Sequence, residues 1–165
     1  MNKKVFIFIR ILLIVLTLSV MATIFALSAD TAVESDAKSD VISDSIIHQI
    51  LRNFDLTDEQ IDTLVHTCVV IVRKTAHFTE YATLGFLLAS VFVSFGLKTK
   101  LNIPISFIIG SLYAVSDEIH QYFVPGRSCQ ISDMILDSAG VIAGIMFLLT
   151  SVYIFKKTHT KKLRD

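Results

Sequence analysis

Apolar runs long enough to cross a bilayer are the strongest limit on what this chain can fold into. Val5–Leu27 is broken only by Arg10 and continues for seventeen uninterrupted residues after it. Ala76–Gly96, Ile103–Phe123 and Leu136–Phe155 follow, each close to the roughly 20 residues that span a hydrocarbon core of about 30 Å. With 53% hydrophobic against 18% charged residues and a mean hydropathy of +0.64, the 165-residue chain suits lipid rather than water as its solvent. Its length leaves room for one domain. The expectation is an all-α, polytopic membrane protein: a four-helix transmembrane bundle over 5–27, 76–96, 103–123 and 136–155, forming a single domain over 1–165. The rival reading of the first run is a cleaved signal peptide, with Lys3 and Lys4 as its basic start and Ala26-Leu27-Ser28 as its cleavage site. A retained helix is the reading adopted, because the run is longer than a usual signal core.

Net charge is zero, which excludes a broadly basic nucleic-acid binder, so the placement of charge carries the information. Lys3, Lys4 and Arg10 open the first span, Lys98 and Lys100 separate the second from the third, and Lys156, Lys157, Lys161, Lys162 and Arg164 follow the fourth. Residues 29–74 hold nine acidic and four basic residues, and the third connection holds one basic residue, Arg127. The positive-inside rule therefore puts both termini and the middle loop in the cytoplasm, with 29–74 and 124–135 outside. Within 29–74, Ile42, Ile46, Ile47, Ile50, Leu51 and Phe54 fit an amphipathic helix. Thr57 and Gln60 fit a capping box, and no Gly or Pro interrupts the chain from there to Gly85. The second span is thus expected to begin as an outer helix, and this segment to cover the bundle.

Polar residues gather near one end of the spans. Arg73, His77, Glu80 and Tyr81 share a helical face, as do Asp117, His120 and Gln121, with Glu118 beside them. Asp133, Asp137, Gly140 and Gly144 form a third stripe. Helical rise puts Glu80 about 24 Å from Gly96, Asp117 about 21 Å from Ile103 and Asp137 about 27 Å from Phe155, so the three carboxylates reach a similar level. A carboxylate well inside a bilayer costs roughly 2.5–3.5 kcal/mol. The three are therefore expected to face one another or a wet pocket, with Arg73, Lys74, His77, His120 or Arg127 as partners. The plainer alternative is a polar network that only holds the helices together.

His77-x-x-Glu80 and Asp117-x-x-His120 could together supply four ligands to a divalent metal, although such short matches arise often by chance and no cofactor is expected. His120 or Glu118 could equally act in acid–base chemistry. Val124-Pro125-Gly126-Arg127 reads as a tight turn that places Arg127 at the mouth of the pocket. Its guanidinium there suits a phosphate or carboxylate, or else an ion pair with Asp133. Gly140-x-x-x-Gly144 permits close helix packing. Cys68 and Cys129 both fall outside, where a disulfide or two free thiols are alternatives.

These strings together resemble the VanZ-like family: Arg73-Lys74-x-x-His77-Phe78-x-Glu80-Tyr81-x-x-Leu84-Gly85, then Asp117-Glu118-x-His120-Gln121-x-Phe123-Val124-Pro125-Gly126-Arg127, then Asp133 and Gly140. Phe25-Ala26-Leu27-Ser28 is similar to the family's exit from its first helix. Position 137 departs from the pattern, being Asp where the family often has Asn. The resemblance implies a bacterial cell-membrane protein of a family named for resistance to the glycopeptide teicoplanin, and it supplies no established reaction. Two functions follow as expectations. One is a non-enzymatic envelope protein whose pocket of Arg73, Lys74, Tyr81, Gln121, Arg127, Asp133 and Asp137 binds or shields an anionic headgroup. That headgroup would belong to a membrane lipid, a lipid-linked wall precursor or the antibiotic. The alternative is a membrane-embedded hydrolase or transferase that uses His77, Glu80, Asp117, Glu118 and His120 on such a headgroup. A transporter is weaker, because the inner half of the spans offers no polar path.

Overall fold

The computed structural model describes residues 3–29, 48–51, 54 and 56–162. All regular structure among them is helical. There are four long helices, α1 (Lys3–Ser28), α3 (Asp58–Ser94), α4 (Thr99–Tyr122) and α5 (Ile131–Lys162), and one short turn, α2 (His48–Leu51). Of the amphipathic helix expected over 42–54, only α2 and Phe54 lie within the described residues. Three helices, α1, α3 and α5, are long and apolar enough to cross a membrane. Most of the large apolar side chains of the long helices point outward. Phe8, Leu112 and Phe147 are each 64–69% exposed, while the shared core is small: Ile24, Tyr81, Leu84, Leu88, Ala89, Ala114, Val141 and Ile145. Water would not tolerate that balance, and lipid does.

Helix α3 is the centre of the bundle and touches each of the others. It begins where the capping box requires. The Thr57 side chain accepts from the Gln60 N–H, and the Gln60 side chain accepts from the Thr57 N–H at 3.0 Å. Asp58 and Glu59 in the first turn face the positive end of the helix dipole. With nothing to break it, the helix runs unbroken for 37 residues from the outer segment through the second apolar run. It stops at Gly96, whose φ of +78° is left-handed. Gly96 N–H donates to the Val93 carbonyl and Leu97 N–H to the Phe92 carbonyl, the two bonds of a Schellman ending.

The chain then turns back into α4. Asn102 Nδ2 donates to the Ala89 carbonyl at 3.0 Å and Ser106 Oγ to Asn102 Oδ1 at 2.8 Å, so a buried polar pair fastens this hairpin. Arg10, the one charge inside the first apolar run, is accommodated at the same end. Its guanidinium makes two bonds to the Ser94 carbonyl, an acceptor left open by the end of α3, and lies between the rings of Phe6 and Phe95. Helices α4 and α5 extend beyond the apolar runs Ile103–Phe123 and Leu136–Phe155 at one or both ends. A helix stops at a capping signal, and the runs record only where the apolar residues begin and end.

The closest contact is between α3 and α5, and it is glycine-mediated. A Cβ at Gly144 would run into the Ala82 carbonyl, one at Gly140 into the Phe78 carbonyl, and one at Gly85 into the Val141 carbonyl. The Gly140-x-x-x-Gly144 stripe is thus a packing surface, as its spacing suggests. Gly144→Val should lower the thermal midpoint in detergent by the equivalent of about 1–3 kcal/mol or more, through overpacking. Leu112→Ala, on the outer surface, should change it little. Similar small shifts in both would show that the two backbones are not in close contact.

Candidate polar pocket

The α3–α4 turn lies at one end of the bundle, so the α4–α5 loop and the part of α3 around Arg73 lie at the other. That loop is a type II turn. Pro125 precedes Gly126, which has a φ of +79°, and Arg127 N–H donates to the Val124 carbonyl at 3.1 Å. Between it and the helices is a cavity of about 350 Å³. Arg73, Lys74 and His77 enter it from α3, Glu118 and Gln121 from α4, Arg127 from the loop, and Asp133 and Asp137 from α5. Eight of the twelve site residues expected from the sequence therefore line one pocket.

The other four lie around it. Tyr81 and Asp117 are buried, at 0% and 2% exposure. Glu80 is half-buried on α3 and does not line the cavity. His120 turns toward α1, where its ring stacks on Phe25 with centroids 4.3 Å apart. Among the described residues no group of three or more His, Cys, Asp or Glu side chains is arranged to hold a metal ion. The His77-x-x-Glu80 and Asp117-x-x-His120 pairs do not come together as such a group. Cys68 and Cys129 are both free thiols.

Beneath the pocket a polar knot ties α1 to α4 and the loop. Ser28 Oγ donates to Asp117 Oδ2 at 2.8 Å, and Gln121 Nε2 donates to the same oxygen at 3.1 Å. Arg127 Nη1 donates to the Ser28 carbonyl at 3.1 Å, satisfying an acceptor at the end of α1. Ser28 is thus part of the site's frame. Sequence reasoning missed that role, because Ser28 was marked only as part of the Phe25-Ala26-Leu27-Ser28 exit from the first helix. Asp117 takes the Ser28 hydroxyl and the Gln121 amide as hydrogen-bond partners, with His77 within electrostatic range. Glu118 Oε2 accepts from the Gln130 backbone N–H at 3.0 Å, which holds the loop against α4. Asp133 pairs with Lys74 at 2.7 Å. At 45% and 33% exposure the Lys74–Asp133 pair lies on the rim. It is worth roughly 0–1 kcal/mol there, so its main effect is to fix geometry.

The floor is different. Asp137 is 1% exposed and neither carboxyl oxygen has a hydrogen-bond partner, and Tyr81 Oη and Asp117 Oδ1 are likewise unpartnered. Glu118, Asp117, Asp133 and Glu80 all lie within electrostatic range of Asp137. Carboxyl groups from α3, α4 and α5 therefore gather around Asp137. Arg73, Lys74 and Arg127 thus share the cavity with Glu118, Asp133 and Asp137.

A family model described as VanZ/LLP1 matches residues 13–155. The chain belongs to the VanZ/LLP1 family. No curated protein and no solved structure matches it. Every pocket and floor residue of this VanZ/LLP1 chain falls inside the matched segment, as does Ser28, so the knot and the pocket are both parts of the family domain.

Removing the Ser28 hydroxyl should leave a buried carboxylate oxygen with one donor fewer. Ser28→Ala is expected to destabilise the protein in detergent by about 1–3 kcal/mol. Ser19→Ala, at an exposed position on the same helix, should stay within about 0.5 kcal/mol of the parent. Indistinguishable melting curves would show that the knot contributes nothing to stability.

Proposed function

We propose that this chain is a four-span protein of the bacterial cytoplasmic membrane, with α4 as its additional span, both termini in the cytoplasm and the pocket on the outer side. There it binds the anionic headgroup of a membrane lipid or a lipid-linked wall precursor, without catalysing a reaction. One observation carries the reading: Arg73, Lys74 and Arg127, from two separate parts of the chain, share one opening at an end of membrane-length helices. Guanidinium groups suit a phosphate through paired N–H donors. Orientation is supported by Lys98 and Lys100, which sit at the end opposite the pocket. Retention of α1 is supported by its part in the site, since Ser28 and Phe25 contact α4 directly. Shielding of a wall precursor's headgroup would give the route to glycopeptide resistance, teicoplanin included.

Topology has a direct check in the native thiols. A membrane-impermeant maleimide should label Cys129, which is exposed, in intact cells. In a Cys68→Ser, Cys129→Ser background it should not label a cysteine introduced at Thr99. Labelling at position 99 alone would invert the model.

Binding is tested by native mass spectrometry of the full chain in detergent, with phosphatidylglycerol against diacylglycerol. The parent should retain the phosphate-bearing lipid preferentially. Arg127→Lys keeps the charge but loses the paired-donor geometry, and should weaken retention by about tenfold. Its melting curve, run in parallel, separates lost binding from lost folding. Equal retention of the two lipids by the parent would end the headgroup reading, and unchanged retention in Arg127→Lys would remove Arg127 from it.

A further inference from the structure

The pocket contains more than an anion site requires. A ligand that was only an anion would be repelled by the carboxyl groups below it, and Asp137 would still have no partner. Burying a polar group without a hydrogen bond is unfavourable, and for an ionised one strongly so. Asp137 is nonetheless 1% exposed, belongs to the pocket lining, and has two unpartnered oxygens. Three other carboxyl groups of the site have hydrogen-bond partners: Asp133 in Lys74, Glu118 in the Gln130 N–H, and one oxygen of Asp117 in Ser28 and Gln121. Asp137 is left as an acceptor at the floor, one helical turn below a rim that is already positive.

That turn sets a length. Asp133, which marks the rim through its bond to Lys74, precedes Asp137 by four residues on α5, a rise of about 6 Å. The spacing is comparable to the reach from a phosphate to an ammonium through an ester oxygen and two methylene groups. The Asp137 oxygens are buried, so an ammonium reaches them when the side chain turns into the cavity that Asp137 lines, and a charge-assisted bond made at such a depth is strengthened. A metal ion is a poorer occupant, because no third ligating side chain converges among the described residues.

We propose that the pocket selects a zwitterionic phospholipid headgroup, with its phosphate at Arg73 and Arg127 and its primary ammonium at Asp137. The inference rests on the headgroup reading above and narrows it from anions in general to phosphates that carry an amine. Lipid is the source because the pocket opens at the end of membrane-length helices.

The test compares phosphatidylethanolamine with phosphatidylglycerol, matched in acyl chains, on the full chain by native mass spectrometry. The parent should retain the ethanolamine lipid about tenfold better, the difference expected of one charge-assisted hydrogen bond in a water-poor site. In Asp137→Asn, which keeps the shape and loses the charge, the ratio should fall towards one. Equal retention of both lipids by the parent would overturn this inference and leave the anionic-headgroup reading standing. Retention of neither lipid above diacylglycerol would overturn both. A parent preference that survives intact in Asp137→Asn would show that the ammonium is bound elsewhere, against the proposal. If the Asn variant fails to fold, the parent's own ratio still decides.

Discussion

The site depends on the contact between α3 and α5. Gly85, Gly140 and Gly144 let the two backbones approach until a Cβ at any of the three would meet a carbonyl of the opposite helix or its flank. Such an approach has little freedom to slide, because each glycine fits one place on its partner. The register of Lys74 and His77 against Asp133 and Asp137 follows from it. In a lipid solvent there is no hydrophobic driving force between helices, so close van der Waals packing must supply what water supplies elsewhere. The small core and the outward-facing apolar surface are the same fact seen from the other side.

Upon this register sits a second layer of constraint, the knot of Ser28, Asp117, Gln121 and Arg127. It joins the end of α1 to α4 and to the loop, and thereby holds Arg127 over the cavity. The glycine contact sets the register of α3 against α5, and the knot beneath the pocket ties Arg127 to the end of α1. Between them the protein brings the cationic groups of Arg73, Lys74 and Arg127 and the carboxyl groups of Glu118, Asp133 and Asp137 to one cavity.

Much of this was legible in the sequence where the determinant is local. The Thr57–Gln60 capping box, the uninterrupted helix that follows it, the Pro125-Gly126 turn and the Gly140-x-x-x-Gly144 packing face are each written within a few residues, and each is present. Helical rise was enough to put Asp117 and Asp137 at one level. What spacing could not say is which neighbour each face would meet. The run Asp117–Gln121 puts four polar groups on one side of α4, yet Asp117 turns to Ser28, Glu118 to the loop and His120 to Phe25. The choices of Asp117 and His120 are set by how α1 leans on α4, a contact between residues about ninety positions apart, and that of Glu118 by the path of the loop. The Lys74–Asp133 pair is the same kind of case, joining residues 59 positions apart. The third apolar run, as α4, falls short of the other helices in apolar character. Asn102, Asp117, Glu118 and Gln121 dilute it, and these buried polar groups are the ones that fasten the hairpin and build the pocket.

The central claim is that the pocket between Arg73, Arg127 and Asp137 is a headgroup site. An experimental structure of the full chain in a bilayer nanodisc with co-purified lipid retained tests it most directly. The account predicts phosphate density between the two guanidinium groups, acyl chains leaving along the outer face of the helices, and an amine within hydrogen-bonding distance of Asp137. A pocket closed by protein side chains, or filled by water alone while ordered lipid phosphates lie elsewhere on the bundle, would contradict it.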